Sequence, residues 1–576
     1  MTLLPFEPLP TAPFRRFLAP GSDLGDWTSI APQFDRLERQ ASECLTTEAL
    51  ERWLMDWSEL TAALEEEGSK RYIAMTCRTD DVEAEAAYLR FVEEIEPRTK
   101  PRQFLLAKIF TLHPLRRTLP PARYHVFDRA TALQVRLFRD ENVALETEEA
   151  RVGQQYQKVC GGLTVVFRGE ERTLAQMGRF LEEPDRDLRE AAWRLSASRR
   201  LAEKDVFEDQ FEELLKWRHQ IALNAGFQDY RDYAFQMRGR FDYGPEECFR
   251  FHEAIEKEIV PLLRELQEAR RCSLMLPSLR PWDLAVDPTN QAPLAPFQNE
   301  AEMVEKTQSI FDRLDPEFSQ DFRRMRDLRL LDLENRKGKA PGGYQSTLAE
   351  SRLPFIFMNA VGVQRDVETL LHEAGHAFHA LASRTEDLLA YRSAPIEFCE
   401  VASMSMELLG GEFLDAFYST ADACRARRDH LEGIVEVFPW IATVDAFQHW
   451  LYTHPGHTRS ERCAAWTAVL GRFQGDVNWE GLGDAHERLW HRQLHLFLHP
   501  FYYIEYGIAQ LGALQVWQQA KANRQEAVAH YKAALNLGGS RPLPELFQAA
   551  GCRFDFSTET VKPLVALLRK ELAKQI

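Results

Sequence analysis

The sequence predicts a mainly α-helical protein with a small β element. Three observations lead there: apolar residues recur at helical spacing over long stretches, strand-like runs are short and few, and two proline-bearing stretches break the pattern into blocks. In chain order, residues 47–64 and 81–96 carry the helical period, and the prolines at 119–123 predict a loop. Residues 163–168 have the β-branched and aromatic content of a strand, and residues 185–217 return to the helical period. The stretch 276–297 predicts a long surface excursion. A boundary near residue 195 divides the chain into an N-terminal helical domain, 1–195, and a larger domain, 196–576.

The second half holds the segments that matter for chemistry. Residues 353–358 form a short apolar run, the best strand candidate in the chain, and Pro354 near its start suits an edge position. Val367, Leu370, Leu371, Ala374 and Phe378 then fall at helical spacing, and no proline interrupts 365–384. A second helix is predicted over 396–409, with Pro395 at its start. Helical spacing resumes over 510–535. Residues 527–535 have the look of a tetratricopeptide helix, but a single copy cannot build a solenoid, so they are expected to be a packing helix.

On the first of these helices lies His372-Glu373-Ala374-Gly375-His376. Two imidazoles four residues apart project from one helix face and can share a metal ion, and the glutamate between them can take a proton from an activated water. That is metallohydrolase chemistry. The alternative is a buried helix whose histidines satisfy core hydrogen bonds. A catalytic zinc needs a third protein ligand, and the second helix offers Glu397, Glu400 and Glu407 on one face; periodicity leaves the choice among them open. Acids on an apolar helix face imply either water or a cation.

These blocks resemble the thimet-type zinc oligopeptidases, peptidase family M3, and within them the oligoendopeptidase F and Pz-peptidase branch. The resemblance runs through Gly338-Lys339-Ala340-Pro341-Gly342-Gly343-Tyr344, Pro354-Phe355-Ile356-Phe357-Met358-Asn359, the histidine motif with Asp366 to Leu371 before it, and Glu400-Val401-Ala402-Ser403. It resumes at His495-Leu496-Phe497-Leu498-His499-Pro500-Phe501-Tyr502-Tyr503-Ile504-Glu505-Tyr506. It implies a large helical zincin with a deep substrate channel. One Zn2+ per chain would be held by His372, His376 and Glu400, with Glu373 as general base, and His495, Tyr503 and Tyr506 would donate hydrogen bonds to the oxyanion. An aromatic-rich core helix is the plainer account of the last three.

Neighbouring residues carry further expectations. Glu368, one turn before His372, could accept the free ring N–H of that ligand, or be a solvated acid. His379 could compete as a ligand, and Cys399 adjoins Glu400, although a neighbouring position on a helix points about 100° away. Gly342, Gly343 and Tyr344 suggest a flexible loop whose backbone approaches a peptide, with a plain surface turn as the alternative. Phe355 and Phe357 lie in the run that resembles the family's substrate-pairing edge strand.

Composition bounds the reading. With 576 residues, 45% hydrophobic and 28% charged, the chain can build a substantial globular core. A net charge of −17 argues against nucleic acid as the main partner. The nine cysteines, odd in number and without a CxxC pair, suggest a reducing compartment. No run reaches the length of a membrane span, and residues 1–16 lack a basic start before their apolar part, so a cytoplasmic location and no membrane association are expected. The expected activity is zinc-dependent hydrolysis of internal bonds in short peptides. The rivals are a zinc carboxypeptidase, which amidation of a peptide's C-terminus would block, and a non-catalytic peptide-binding protein with a structural zinc, which would not need Glu373.

Overall fold

Helices dominate the structure, a computed structural model that describes residues 15–289 and 291–575. Most of residues 1–16, the stretch without a basic start before its apolar part, lie outside the described range. The chain forms two units, each assembled from three stretches: Met1–Arg136, Leu294–Arg427 and Ala509–Phe554 in the first, Leu137–Pro293, Arg428–Ile508 and Asp555–Ile576 in the second. Residue 195, where the sequence suggested a boundary, lies inside the helix Arg186–Ala202 of the second unit. Among the described residues no helix is long and apolar enough to cross a membrane.

Predicted helices are present with shifted ends. The segment from 47 continues to Cys77, and its start is capped by Thr46, whose side chain accepts from the Ala49 N–H. The segment from 185 is two helices, Arg186–Ala202 and Lys204–Asn224, parted at Glu203. Residues 510–535 belong to Ile504–Leu535, which breaks at Asn523 (φ −150°, ψ 95°). In the first unit, Trp27–Glu43, Thr47–Cys77 and Glu96–Leu112 bury Phe34, Trp53, Leu60 and Phe110 together.

The β structure is richer than expected. In the second unit Thr164–Phe167 pairs antiparallel with Glu170–Thr173 across Arg168 and Gly169, both left-handed (φ 54° and 83°), a turn that suits the strand twist. In the first unit three strands stand in the order Leu331–Glu334, Leu353–Ala360, Tyr344–Leu348. The predicted strand is therefore central rather than at an edge. Pro354 is tolerated because Ile356 donates to the Leu330 carbonyl on the parallel side, and that partner strand begins only at Leu331, opposite Ile356. The proline nitrogen faces the same side before the ladder starts, so no bond is lost. Tyr344–Leu348 and Leu331–Glu334 are the edge strands.

Candidate active site

The helix Gln364–Ala382 carries the histidine motif, and its own sequence secures its start. Asp366, in its first turn, accepts the N–H groups of Val361, Gly362 and Val363 at 2.8, 2.8 and 3.0 Å, satisfying donors that precede the first helical hydrogen bonds. Val367, Leu370, Leu371, Ala374, Ala377 and Phe378 are buried, which turns His372 and His376 to a half-buried face. Across it lies Ile396–Gly411, the glutamate-bearing helix.

The two helices meet backbone to backbone. A Cβ on Gly375 would stand 2.6 Å from Ser403 Cα and 2.7 Å from the Ala402 oxygen, so only glycine permits this approach. The approach brings Glu400 to the histidines: its Oε2 is 3.4 Å from His372 Nε2 and 3.8 Å from His376 Nε2. Donor atoms of His372, His376 and Glu400 all lie within 4.8 Å of one another. Ser403 Oγ donates to Glu400 Oε2 at 3.0 Å, which fixes the carboxylate.

The remaining nitrogen of His372 is taken by Glu407, with Nδ1 to Oε1 at 2.6 Å. When His372 is neutral, a proton kept on Nδ1 by Glu407 leaves the Nε2 lone pair facing Glu400 and His376, the tautomer a metal ligand needs. Glu368, a candidate for this role, instead accepts from Gln364 Nε2 at 3.1 Å. The proton acceptor comes from the facing helix, reached across the Gly375 contact, and not from the preceding turn. Glu397 is buried in the first turn of its helix and stands outside the converging set.

The electrostatics follow from three acids and two imidazoles sharing a sheltered patch. Burial pushes the Glu373 carboxyl up to about 7, with His372 opposing and Glu400 reinforcing; the backbone amide of Gln345, on an edge strand, pulls it down. Burial and the neighbouring imidazoles hold His376 down to about 3. His372 moves the other way: burial lowers it, but its hydrogen bond to Glu407 and the charges of Glu407, Glu400 and Glu373 raise it to about 9. The donor set, two imidazole nitrogens and a carboxylate with excess negative charge around them, fits a divalent ion of the zinc class.

The other candidates separate cleanly. His379 is buried and held down to about 4 by that burial, and it is not in the donor set. Cys399 Sγ turns to the Ala394 carbonyl at 3.3 Å, consistent with packing. Phe355 and Phe357 are both 0% exposed in a strand paired on both sides, so they build the core and offer neither side chain nor backbone edge to a ligand. Phe357 supports Tyr344, their rings stacked at 4.8 Å, and the Tyr344 hydroxyl meets Thr76 Oγ1 at 2.6 Å. The glycine-bearing loop is tied down: Asn359 Nδ2 donates to the carbonyls of Ala340 and Gly342 at 2.8 Å each, and Ala340 N–H reaches the Thr76 carbonyl. Gly342 is left-handed (φ 101°) with open space where a Cβ would be, and Gly343 packs against the Phe357 carbonyl.

His495, Tyr503 and Tyr506 gather in the second unit. His495 lies 4.7 Å from the Tyr503 ring and 6.1 Å from the Tyr506 ring, and the three are partly exposed while Phe501 and Ile504 between them are buried. The turn between the helices Leu494–Leu498 and Ile504–Leu535 is left-handed at Phe501 (φ 63°); its N–H goes to Gln448 Oε1 at 2.6 Å and its carbonyl accepts from Arg240. Trp440 Nε1 donates to Gln493 Oε1 at 2.9 Å, which leaves the amide nitrogen of Gln493 to donate to His495 Nδ1 at 2.8 Å. Burial and the charges of His499 and Arg238 hold His495 down to about 4. A neutral ring whose Nδ1 accepts carries its proton on Nε2, ready to donate. Gln493 and Trp440 carried no sequence signal for these roles; Glu407 had one, its place on the glutamate face.

A helical fold in which a His-Glu-x-x-His helix lies against a glutamate-bearing helix is that of a helical peptidase. The chain belongs to peptidase family M3, whose sequence model matches residues 179–565. It is similar to a solved structure of Pz peptidase A with an inhibitor, at 28% identity and a TM-score of 0.86, covering 98% of this chain and 99% of that one. The chromosomal oligoendopeptidase F of Lactococcus lactis subsp. cremoris is 27% identical over 236 residues, which is 41% of this chain and only 38% of that protein's length. An oligoendopeptidase F homolog of Borreliella burgdorferi is 23% identical over 445 residues, 73% of each chain.

Proposed function

We propose that this peptidase is a zinc-dependent endopeptidase acting on internal bonds of short peptides. The observation that carries the reading is the convergence of His372 Nε2 and His376 Nε2 on the Glu400 carboxylate, with Glu407 on the outer nitrogen of His372 and Glu373 between the two ligands. His372, His376 and Glu400 would hold the ion, which would supply Lewis-acid activation of a water and of the scissile carbonyl. Glu373, raised toward neutrality by its burial, would accept the proton of the attacking water and pass it to the leaving amine. His495 Nε2 and the hydroxyls of Tyr503 and Tyr506 are the donors assigned to the oxyanion. The backbone of the edge strand Tyr344–Leu348 is the element suited to pair with an extended peptide, which supports tolerance of side-chain sequence. The names of the relatives, oligoendopeptidase F and Pz peptidase, support peptides as substrates.

The test is mass spectrometry of end-blocked peptides, from short to protein-sized, incubated with the wild type, chelated protein and Glu373→Gln. Internal cuts confined to shorter peptides and absent from both controls are expected. No metal-dependent cutting of the blocked peptides, with cleavage of the same peptides once their C-termini are left free, would replace the endopeptidase reading with a carboxypeptidase one.

A further inference from the structure

A second cluster of metal-ligating side chains lies within the second unit. The helix Pro245–Ala254 carries Cys248 and His252, and the helix Thr420–Thr453 carries Asp445 and His449. Each pair is spaced i and i+4, so each helix presents two donors on one face. Donor atoms of Cys248, Asp445 and His449 all lie within 4.8 Å of one another. His252 Nε2 is 2.9 Å and His449 Nε2 is 3.3 Å from Asp445 Oδ2.

The surroundings are dry and aromatic. Relative exposures are 0% for Cys248 and Asp445, 3% for His252 and 5% for His449. The rings of Phe249 and Phe501 sit 4.8 and 5.4 Å from that of His449. Within this box the polar accounting does not close. Neither ring nitrogen of His449 makes a hydrogen bond, nor does Asp445 Oδ1, among the described residues. Asp445 is partnered by the two imidazoles and by no Lys or Arg there. A buried carboxylate with no Lys or Arg beside it is costly to hold in a core, and orphaned buried polar atoms such as Asp445 Oδ1 call for a partner.

We propose that Cys248, His252, Asp445 and His449 form a buried four-ligand site for a divalent ion of the zinc class. Two imidazoles, a thiolate and a carboxylate are a donor set that zinc accepts in tetrahedral geometry, and thiolate plus carboxylate neutralise a dication. Loading releases the Cys248 proton to solvent and gives Asp445 Oδ1 or a ring nitrogen of His449 a bond that it does not otherwise make. Four protein ligands leave no open position, so the site is structural and not catalytic. It ties the two helices together beside Phe501, the left-handed residue of the turn that carries Tyr503.

Cobalt substitution of the full chain tests this independently of the proposed catalytic zinc. His372, His376 and Glu400 offer only nitrogen and oxygen, so a thiolate-to-cobalt charge-transfer band in the near ultraviolet can come only from a cysteine site. The band is expected in the wild type, retained in His376→Ala and in Cys399→Ser, and lost in Cys248→Ser. Metal content by mass spectrometry should fall about two-fold, from about two equivalents to about one, in Cys248→Ser. A wild-type cobalt protein with no thiolate band overturns the proposal whatever the variants do, as does a band that survives in folded Cys248→Ser. If Cys248→Ser does not fold, His449→Gln takes its place and must remove or shift the band. Loss of peptidase activity in His376→Ala with the band intact speaks to the first site alone.

Discussion

Gly375→Ala tests the contact on which the candidate active site depends. A Cβ at this position would lie 2.6 Å from Ser403 Cα and 2.7 Å from the Ala402 oxygen, where ordinary contact begins at 3.4 Å. The shortfalls, 3.4 − 2.6 = 0.8 Å and 3.4 − 2.7 = 0.7 Å, fall on backbone that cannot swing aside. The glutamate-bearing helix must therefore shift by about that much. Glu400, one turn before Ser403, moves with it, and metal–ligand distances tolerate only about 0.2 Å. Overpacking costs roughly 1–3 kcal/mol, and the better helix propensity of Ala returns roughly 1. Metal affinity is thus a sharper readout than melting temperature. By analogy with displaced supporting groups at metal sites, a fall of about 10–100-fold is expected. The assay is competition for zinc against a chromophoric chelator, with Gly411→Ala as the control because nothing lies within 4 Å of a Cβ there. Wild-type zinc affinity in Gly375→Ala would refute the argument that this contact sets the donor geometry.

Other outcomes follow from the same structure. Glu407→Gln removes the charge that holds the His372 Nδ1 proton, and should weaken zinc about 10–100-fold in the same competition, whereas Glu368→Gln should not. Tyr506→Phe and Tyr503→Phe each remove a hydroxyl from the proposed oxyanion donors; steady-state kinetics should show kcat reduced by ~100-fold in at least one of them with KM little changed. Asp332 is held down to about 2 despite its burial, because Arg336 and Lys339 bond to it. Its folded pKa is depressed from 3.8, so its contribution is present above about pH 4 and is lost as pH falls toward 2. That shift corresponds to about 2 kcal/mol. Urea unfolding of Asp332→Asn should therefore show lower stability at neutral pH and a flatter stability profile between pH 4 and 2 than the wild type. Equal slopes would exclude Asp332 as the source.

Local order along the chain is what the sequence by itself determined. Helical period, a glutamate between two histidines at i and i+4, and acids recurring on the next helix are properties of neighbours in sequence, and they are enough to name His372, Glu373 and His376 and to shortlist Glu397, Glu400 and Glu407. The strand from 353 was legible for the same reason, since its apolar run is local. Its place in the sheet was not: Pro354 suggests an edge from sequence, and only the start of the parallel partner at Leu331 shows why a proline can stand in a central strand. Roles that depend on packing between distant segments were beyond any periodicity. Glu407 and not Glu368 takes the His372 proton because Gly375 lets two helices touch, and Phe355 and Phe357 are core because strands lie on both sides of them. Cys248 and Asp445 stand far apart in the chain, and their convergence is decided by how two helices cross, a long-range choice made by the buried surface as a whole.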